Sequence, residues 1–134
     1  MPLNHTFCVA PMMQCTDTHN RRFLRKISKH AVLYTEMIAV NALVHGKQIT
    51  KLDYSNEEHP IAVQLGGSDP KTLASAAILC DRYGYDEINL NLGCPSERVQ
   101  KGSFGAALML EPDLVKKCIE SIQSVSSTPL TVKC

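Results

Sequence analysis

The sequence predicts an α/β protein built from parallel βα units. Three observations predict it. About five β-type apolar runs alternate with helical patterns along the chain. The helical stretches carry their own start and stop residues. The polar residues that interrupt the strands fall near their carboxyl ends, where parallel α/β proteins bind ligands.

The elements follow in order. "TFCVAPM" (6–12) reads as a strand ended by Pro11. "THNRRFLRKISKH" reads as a helix capped by Thr16 or Asp17, with Phe23, Leu24, Ile27 and Ala31 at helical spacing. "AVLYTEMIA" (31–39) is the next strand, and "VNALVHG" a short helix closed by Gly46. Residues 47–59 are polar and weakly patterned, an excursion with room for a short hairpin. "PIAVQLGG" (60–67) is a buried strand with a glycine stop. The helix after it has Ser68 or Asp69 as cap, Pro70 in the first turn, Gly84 at the end, and Leu73, Ala76, Ala77 and Cys80 on its apolar face. "EINLNLG" (87–93) is the fourth strand. "EPDLVKKCIESIQSV" is a helix that turns Leu114, Val115, Cys118, Ile119 and Ile122 inward, and "PLTVKC" (129–134) begins a fifth strand.

Two parallel architectures accommodate this order, a doubly wound sheet and a (β/α)8 barrel. A full barrel needs roughly 250 residues. The 134 residues here supply about five of its strands, so the chain reads as the N-terminal part of a larger protein.

Hydrophobic residues make up 44% and charged residues 20% of the chain, with a net charge of +1, ordinary for a globular protein. Bulk charge therefore announces no nucleic-acid partner, although a local basic patch would suffice for one. The six cysteines (8, 15, 80, 94, 118 and 134) form no CxxC pair, which argues against zinc, and their irregular spacing argues against a secreted disulfide framework. Reduced thiols and a cytoplasmic location are expected. The first residues lack the basic and long apolar regions of a signal peptide, and no run reaches the roughly 18 apolar residues of a membrane span.

The candidate site is a set of strand-end residues: Pro11, Met12 and Met13, then Glu36 and Met37, then Gln64, then Asn89, Asn91 and Cys94, then Lys133. Polar groups inside apolar strands cost free energy unless paired, so several breaks at one level mark a site. Residue type alone leaves Cys94 as a small buried hydrophobe by default. Cys80 and Cys118 read as core, Cys8 as strand packing, and the basic residues of the first helix (Arg21, Arg22, Arg25, Lys26, Lys29, His30) as a solvated face that could also meet phosphates.

The segments "APMM", "LYTEMIAVNALVHG", "PIAVQLGGSDP" and "YDEINLNLGCPSERVQKGSFGAALM" resemble the tRNA-dihydrouridine synthases, most of all the bacterial A-type subfamily. NLGCP followed by KG-x-x-G-A-x-L carries most of the signal. One departure is Gln14-Cys15, where the subfamily has an acidic residue and an aromatic. The resemblance implies residues 1–134 of a TIM-barrel flavin-binding catalytic domain, incomplete, with the later barrel strands and a helical tRNA-binding domain outside this sequence. It implies reduction of the C5–C6 bond of uridine in the tRNA D-loop, with FMN as cofactor and NADPH as reductant, and no metal. By position, Pro11, Met12 and Met13 would contact the flavin, Gln64 its polar edge, and Lys133 its N1–C2 region. Cys94 would be the general acid, Asn91 would orient the uracil, and Arg98 and Lys101 would meet the RNA.

The chemistry is coherent with those residue types. A thiol is largely protonated at neutral pH yet can release its proton to a carbanion-like carbon. An amide supplies a donor to a carbonyl gaining charge. The expected partner is tRNA, with neither DNA nor a membrane, and oligomeric state is open. Two alternatives stand beside this: a flavin-dependent reductase of free pyrimidines, and a truncated non-catalytic RNA-binding module. On its own the 134-residue chain is expected to be inactive, with two exposed sheet edges.

Overall fold

A computed structural model describes residues 3–96 and 104–134 of the chain. Its elements are β1 (Cys8–Val9), α1 (Thr18–Ile27), β2 (Val32–Ala39), α2 (Val40–Val44), β3 (Ile61–Gly66), α3 (Pro70–Tyr83), β4 (Glu87–Asn91), α4 (Pro112–Gln123) and β5 (Leu130–Lys133). Short 3-10 segments cover Ile49–Leu52, Asn56–Glu58 and Gly105–Leu110.

Strand order decides between the two parallel architectures. The five strands lie side by side in chain order, and every pair is parallel. A doubly wound sheet reverses its order at a switch point; this sheet does not. Helices α2, α3 and α4 pack on one face only. Leu43, Leu73, Ala76, Ala77, Cys80, Cys118 and Ile122 there meet Ile61, Val63, Leu65, Ile88 and Leu90 of the strands. The other face is concave and holds a smaller apolar cluster of Val32, Tyr34 and Ala62. The result is a curled half-barrel, the first part of a TIM barrel.

Local signals set the helix ends. The Asp17 side chain accepts from the Asn20 amide and the Asp69 side chain from the Thr72 amide, which satisfies first-turn donors that no helical carbonyl can reach. Pro70 and Pro112 occupy first-turn positions, and Gly84 closes α3 at φ 76°. The face expected of α3 is the face it buries, and of the α4 face Cys118 and Ile122 are buried and Leu114 and Val115 pack against the core, while Ile119 is only half-buried.

Three expectations are corrected. β1 has only two residues, because Val9 is followed by Ala10-Pro11 and one side of the strand has no partner among the described residues. The excursion holds two 3-10 turns and no hairpin. The largest correction concerns α1. Phe23 and Ile27 are 64% and 68% exposed, while Arg21 and Arg25 are buried. Arg21 donates to Glu58 (2.6 Å) and to the Thr16 carbonyl (2.7 Å). Arg25 donates to the carbonyls of Ser28, Glu58 and Pro60, each at 2.9 Å. The helix thus docks through guanidinium forks onto the excursion rather than through an apolar stripe. These two arginines are spent inside the fold, and the basic residues of this helix segment left to solvent are His19, Arg22, Lys26, Lys29 and His30.

Candidate active site

Alternation along the strands builds the site. In β3, residues 61, 63 and 65 face the helices, so Ala62 and Gln64 face the concave side. In β4, Ile88 and Leu90 face the helices, which sends Glu87, Asn89 and Asn91 inward. The register aligns Gln64 with Asn89, Asn89 with Thr131, and Asn91 with Lys133. Inward residues therefore stack in layers, as in a barrel interior.

Those inward side chains are joined by hydrogen bonds. Gln64 Nε2 donates to Asn89 Oδ1 (2.7 Å), and Gln64 Oε1 accepts from Asn91 Nδ2 (3.0 Å). Asn91 Oδ1 accepts from the main-chain N–H of Cys94 (3.0 Å) and of Gly93 (3.3 Å). Gln64, Asn89 and Asn91 are all buried, and these bonds are what makes their burial tolerable.

The corner after β4 presents Cys94. Gly93 is required there by close approach: a Cβ would sit 2.5 Å from the carbonyl carbon of Cys134. The Cys94 carbonyl accepts from the Ala106 amide (3.1 Å), which ties the corner to the 3-10 turn. The thiol is half-buried, 3.5 Å from the Ser96 hydroxyl.

The turn after β1 is fixed mainly through its backbone. The Met12 carbonyl accepts from the Cys15 and Thr16 amides, and the Met12 amide donates to Thr16 Oγ1 (3.0 Å). Gln14 adopts φ 62° and its amide donates to the Glu36 carboxylate. The exposed Gln14 and Cys15 side chains are thus not what shapes the turn. Pro11 has no N–H and the Met12 peptide is engaged. The Met13 N–H, by contrast, has no hydrogen-bond partner among the described residues.

Two cavities receive these residues. One of about 810 Å³ lies at the rim, with Cys94, Met13, Gln14, Met37, Ala39, Lys51 and Phe104 on its walls. One of about 300 Å³ lies in the concave interior, with Pro11, Cys8, Tyr34, Asn89, Thr131 and Lys133. Gln64 and Asn91 are buried side chains linked to both, through Asn89 below and the Cys94 corner above. Met12 lines neither cavity and is 47% exposed. Lys133 forms no ion pair among the described residues. Arg98 and Lys101 lie outside the described residues. No group of three or more His, Cys, Asp or Glu among the described residues could hold a metal ion, and no helix there is long and apolar enough to cross a membrane.

Sequence reasoning passed over Glu87, Thr131, Tyr34 and Phe104. Glu87 and Thr131 are visible as period-two positions: 87, 89 and 91 are polar while 88 and 90 are apolar, and 131 and 133 are polar while 130 and 132 are apolar; Tyr34 has no such signal. Phe104 approaches because Gly66 has no Cβ; one would lie 2.8 Å from its ring.

A parallel half-barrel with a polar interior and a thiol at its carboxyl rim defines a chain of the TIM-barrel class with a strand-end site. The family model described as "Dihydrouridine synthase (Dus)" matches residues 8–134. A tRNA-dihydrouridine(20/20a) synthase of Escherichia coli is 56% identical over 127 residues, 95% of this chain and 36% of the relative. Proteins of the same name from Synechocystis sp. and Shewanella oneidensis are 54% and 53% identical over 93% and 98% of the chain, and 37% and 39% of their own lengths. The chain belongs to the dihydrouridine synthase family. It spans well under half the length of these relatives.

Proposed function

We propose that this chain is the amino-terminal part of the catalytic barrel of an enzyme that converts uridine to 5,6-dihydrouridine in the tRNA D-loop, using FMN and NADPH. The observation that carries the reading is the meeting of Cys94 and the Gln64–Asn91 pair at the carboxyl rim of parallel strands. Relatives named for positions 20 and 20a support the same uridines as targets.

The residues present fit a flavin. The rim cavity has the apolar walls that a flat ring system needs, from Met13, Met37, Ala39 and Phe104. Among the described residues, the Lys133 ammonium has no ion-pair partner and the Met13 N–H has no acceptor. Of the residues proposed to hold it, Met13 lies on this rim cavity and Pro11 and Lys133 on the interior one, Gln64 links the two through Asn89 and Asn91, and Met12 flanks Met13 in the same turn. When bound, the flavin supplies a hydride to C6 of the uracil. Cys94 holds the proton that C5 needs, on a corner clamped by Asn91 and Ala106. Asn91 has one Nδ2 hydrogen left after its bond to Gln64 with which to orient the uracil. Lys133 meets negative charge. Arg98 and Lys101 are the proposed RNA contacts that follow Cys94 in the sequence. The base must leave its stack to reach the rim, at a cost of a few kcal/mol.

The test uses the protein made from its native gene, with tRNA lacking dihydrouridine. The wild type should form dihydrouridine with NADPH. Cys94→Ala should stay yellow and keep its reduction by NADPH, yet lose product formation by at least about a hundred-fold. Turnover of free uracil without RNA would instead establish the pyrimidine-reductase alternative. Tight tRNA binding with no flavin would establish the binding module.

A further inference from the structure

The geometry points to Asn89 and Thr131 as positioning residues for the Cys94 corner, acting through a hydrogen-bond chain whose direction is fixed at both ends. Its importance for catalysis rests on the function proposed above; its existence as a device does not.

At the lower end lies Glu87, a buried carboxylate that can only accept. Thr131 Oγ1 donates to Glu87 Oε1 (2.6 Å), so its oxygen is left to accept, and Asn89 Nδ2 donates to it (2.8 Å). That turns Asn89 Oδ1 toward Gln64, which must donate through Nε2 (2.7 Å). Gln64 Oε1 must then accept from Asn91 Nδ2 (3.0 Å). Asn91 is left with Oδ1 facing the corner, where the main-chain N–H groups of Gly93 and Cys94 can only donate. Starting from the corner and working down gives the same assignment. Both ends are inflexible in polarity, one an acceptor and the other a pair of donors, and a three-amide chain between them has one consistent orientation.

This chain is a clamp and not a proton path, because carboxamides do not pass protons on. Tyr34 and His5 also reach Glu87, at 2.8 Å and 2.6 Å, and hold the carboxylate in place. Loss of the Thr131 hydroxyl leaves Asn89 Nδ2 without its acceptor in a buried layer, so the chain of amides loses its lower anchor. Only the Gly93 and Cys94 N–H groups then hold the direction of Asn91, and the corner is clamped from one end instead of two.

The experiment labels the protein with iodoacetamide and reads each cysteine by peptide mass spectrometry. Cys15 and Cys134 are exposed and serve as rate standards; Cys80 and Cys118 are buried and report an intact fold. Thr131→Val keeps the shape and removes the hydroxyl. It should speed labelling of Cys94 by roughly three- to ten-fold relative to Cys15. Thr131→Ser, which restores the hydroxyl, should return the wild-type rate. Cys94 labelling unchanged in Thr131→Val, with Cys80 and Cys118 still protected, would overturn the proposal. Should Thr131→Val expose Cys80 and Cys118, the wild-type protein decides through amide exchange. Gly93 and Cys94 amides must then exchange at least about ten-fold slower than an unprotected amide; free exchange would overturn the clamp. Neither readout needs flavin or tRNA. Release of Cys94 in a protein that forms no dihydrouridine would sustain the clamp and remove the proposed function.

Discussion

Glu58 has no exposed surface, and three donors converge on its carboxylate: Arg21 Nε at 2.6 Å, the Thr18 hydroxyl at 2.7 Å and the Ser55 amide at 2.8 Å. Arg21 is equally enclosed, with its Nη1 on the Thr16 carbonyl. Two buried charges attract strongly, but most of that attraction only repays their removal from water. The pair therefore adds little net stability, while either member left alone is costly. Arg21→Met should lower stability by about 3–5 kcal/mol, seen as a fall in the urea midpoint, because Glu58 stays buried without its counter-charge. Replacing both residues by apolar ones should recover much of the loss. A single-variant loss below about 1 kcal/mol would mean that the carboxylate finds water when Arg21 is gone. Thr16 is also the residue that fixes the Met12 turn, so this ion pair is coupled to the site through one backbone segment.

At the scale of elements, α3 shows how a terminal residue sets a helix. Gly84 adopts φ 76°, and a Cβ there would find space, with Tyr54 Oη the nearest atom at 3.6 Å. The cost of Gly84→Ala is thus backbone strain alone, about 1–2 kcal/mol, and the thermal midpoint should fall accordingly. An unchanged midpoint would mean that the αL turn does not close α3 in solution. The Asp69, Pro70 and Gly84 signals made α3 legible in advance, and its apolar face followed from spacing because α2, α4 and the sheet all lie against it. α1 has the same 3.6-residue pattern but buries Arg21 and Arg25 and leaves Phe23 and Ile27 exposed. Its surroundings explain why. The end of the excursion and Pro60 after it offer a carboxylate and two carbonyls, so the helix turns its arginines inward, and no described element of this chain covers Phe23 or Ile27. Periodicity reports that a helix has two faces; the partner decides which face is buried. The same holds for the site. Gln64, Asn91, Cys94 and Lys133 stood out as polar or reactive residues at strand ends. The link between them depends on register, which pairs Asn89 with Thr131 across 42 positions and has no local signature.

Across the whole molecule, the half-barrel keeps several ionisable groups neutral within its layers. Burial pushes the Cys80 thiol from an ordinary 9.0 up to about 12. It also raises Cys118, where the nearby Asp69 charge adds to the effect. Tyr85 is raised by burial, and Tyr34 by burial and then by its hydrogen bond to Glu87. All four shifts share one sign. The folded state holds the neutral acid, while the unfolded chain ionises at the ordinary value and is stabilised by doing so. The stability they contribute is therefore complete below about pH 9 and is lost as pH climbs from there toward 12. Each group can contribute a slope of at most about 1.4 kcal/mol per pH unit within its own window. Urea midpoints measured at pH 7, 9.5 and 10.5 should be highest at the first and fall at each step. Cys80→Ala removes one titrating group and should make the fall shallower, even though the variant starts from a lower midpoint because it loses a packed sulfur. A profile as steep in that variant as in the wild type would assign the alkaline loss to Cys118 and the tyrosines. The core between helices and sheet would then be less closed around α3 than the complete burial of Cys80 requires.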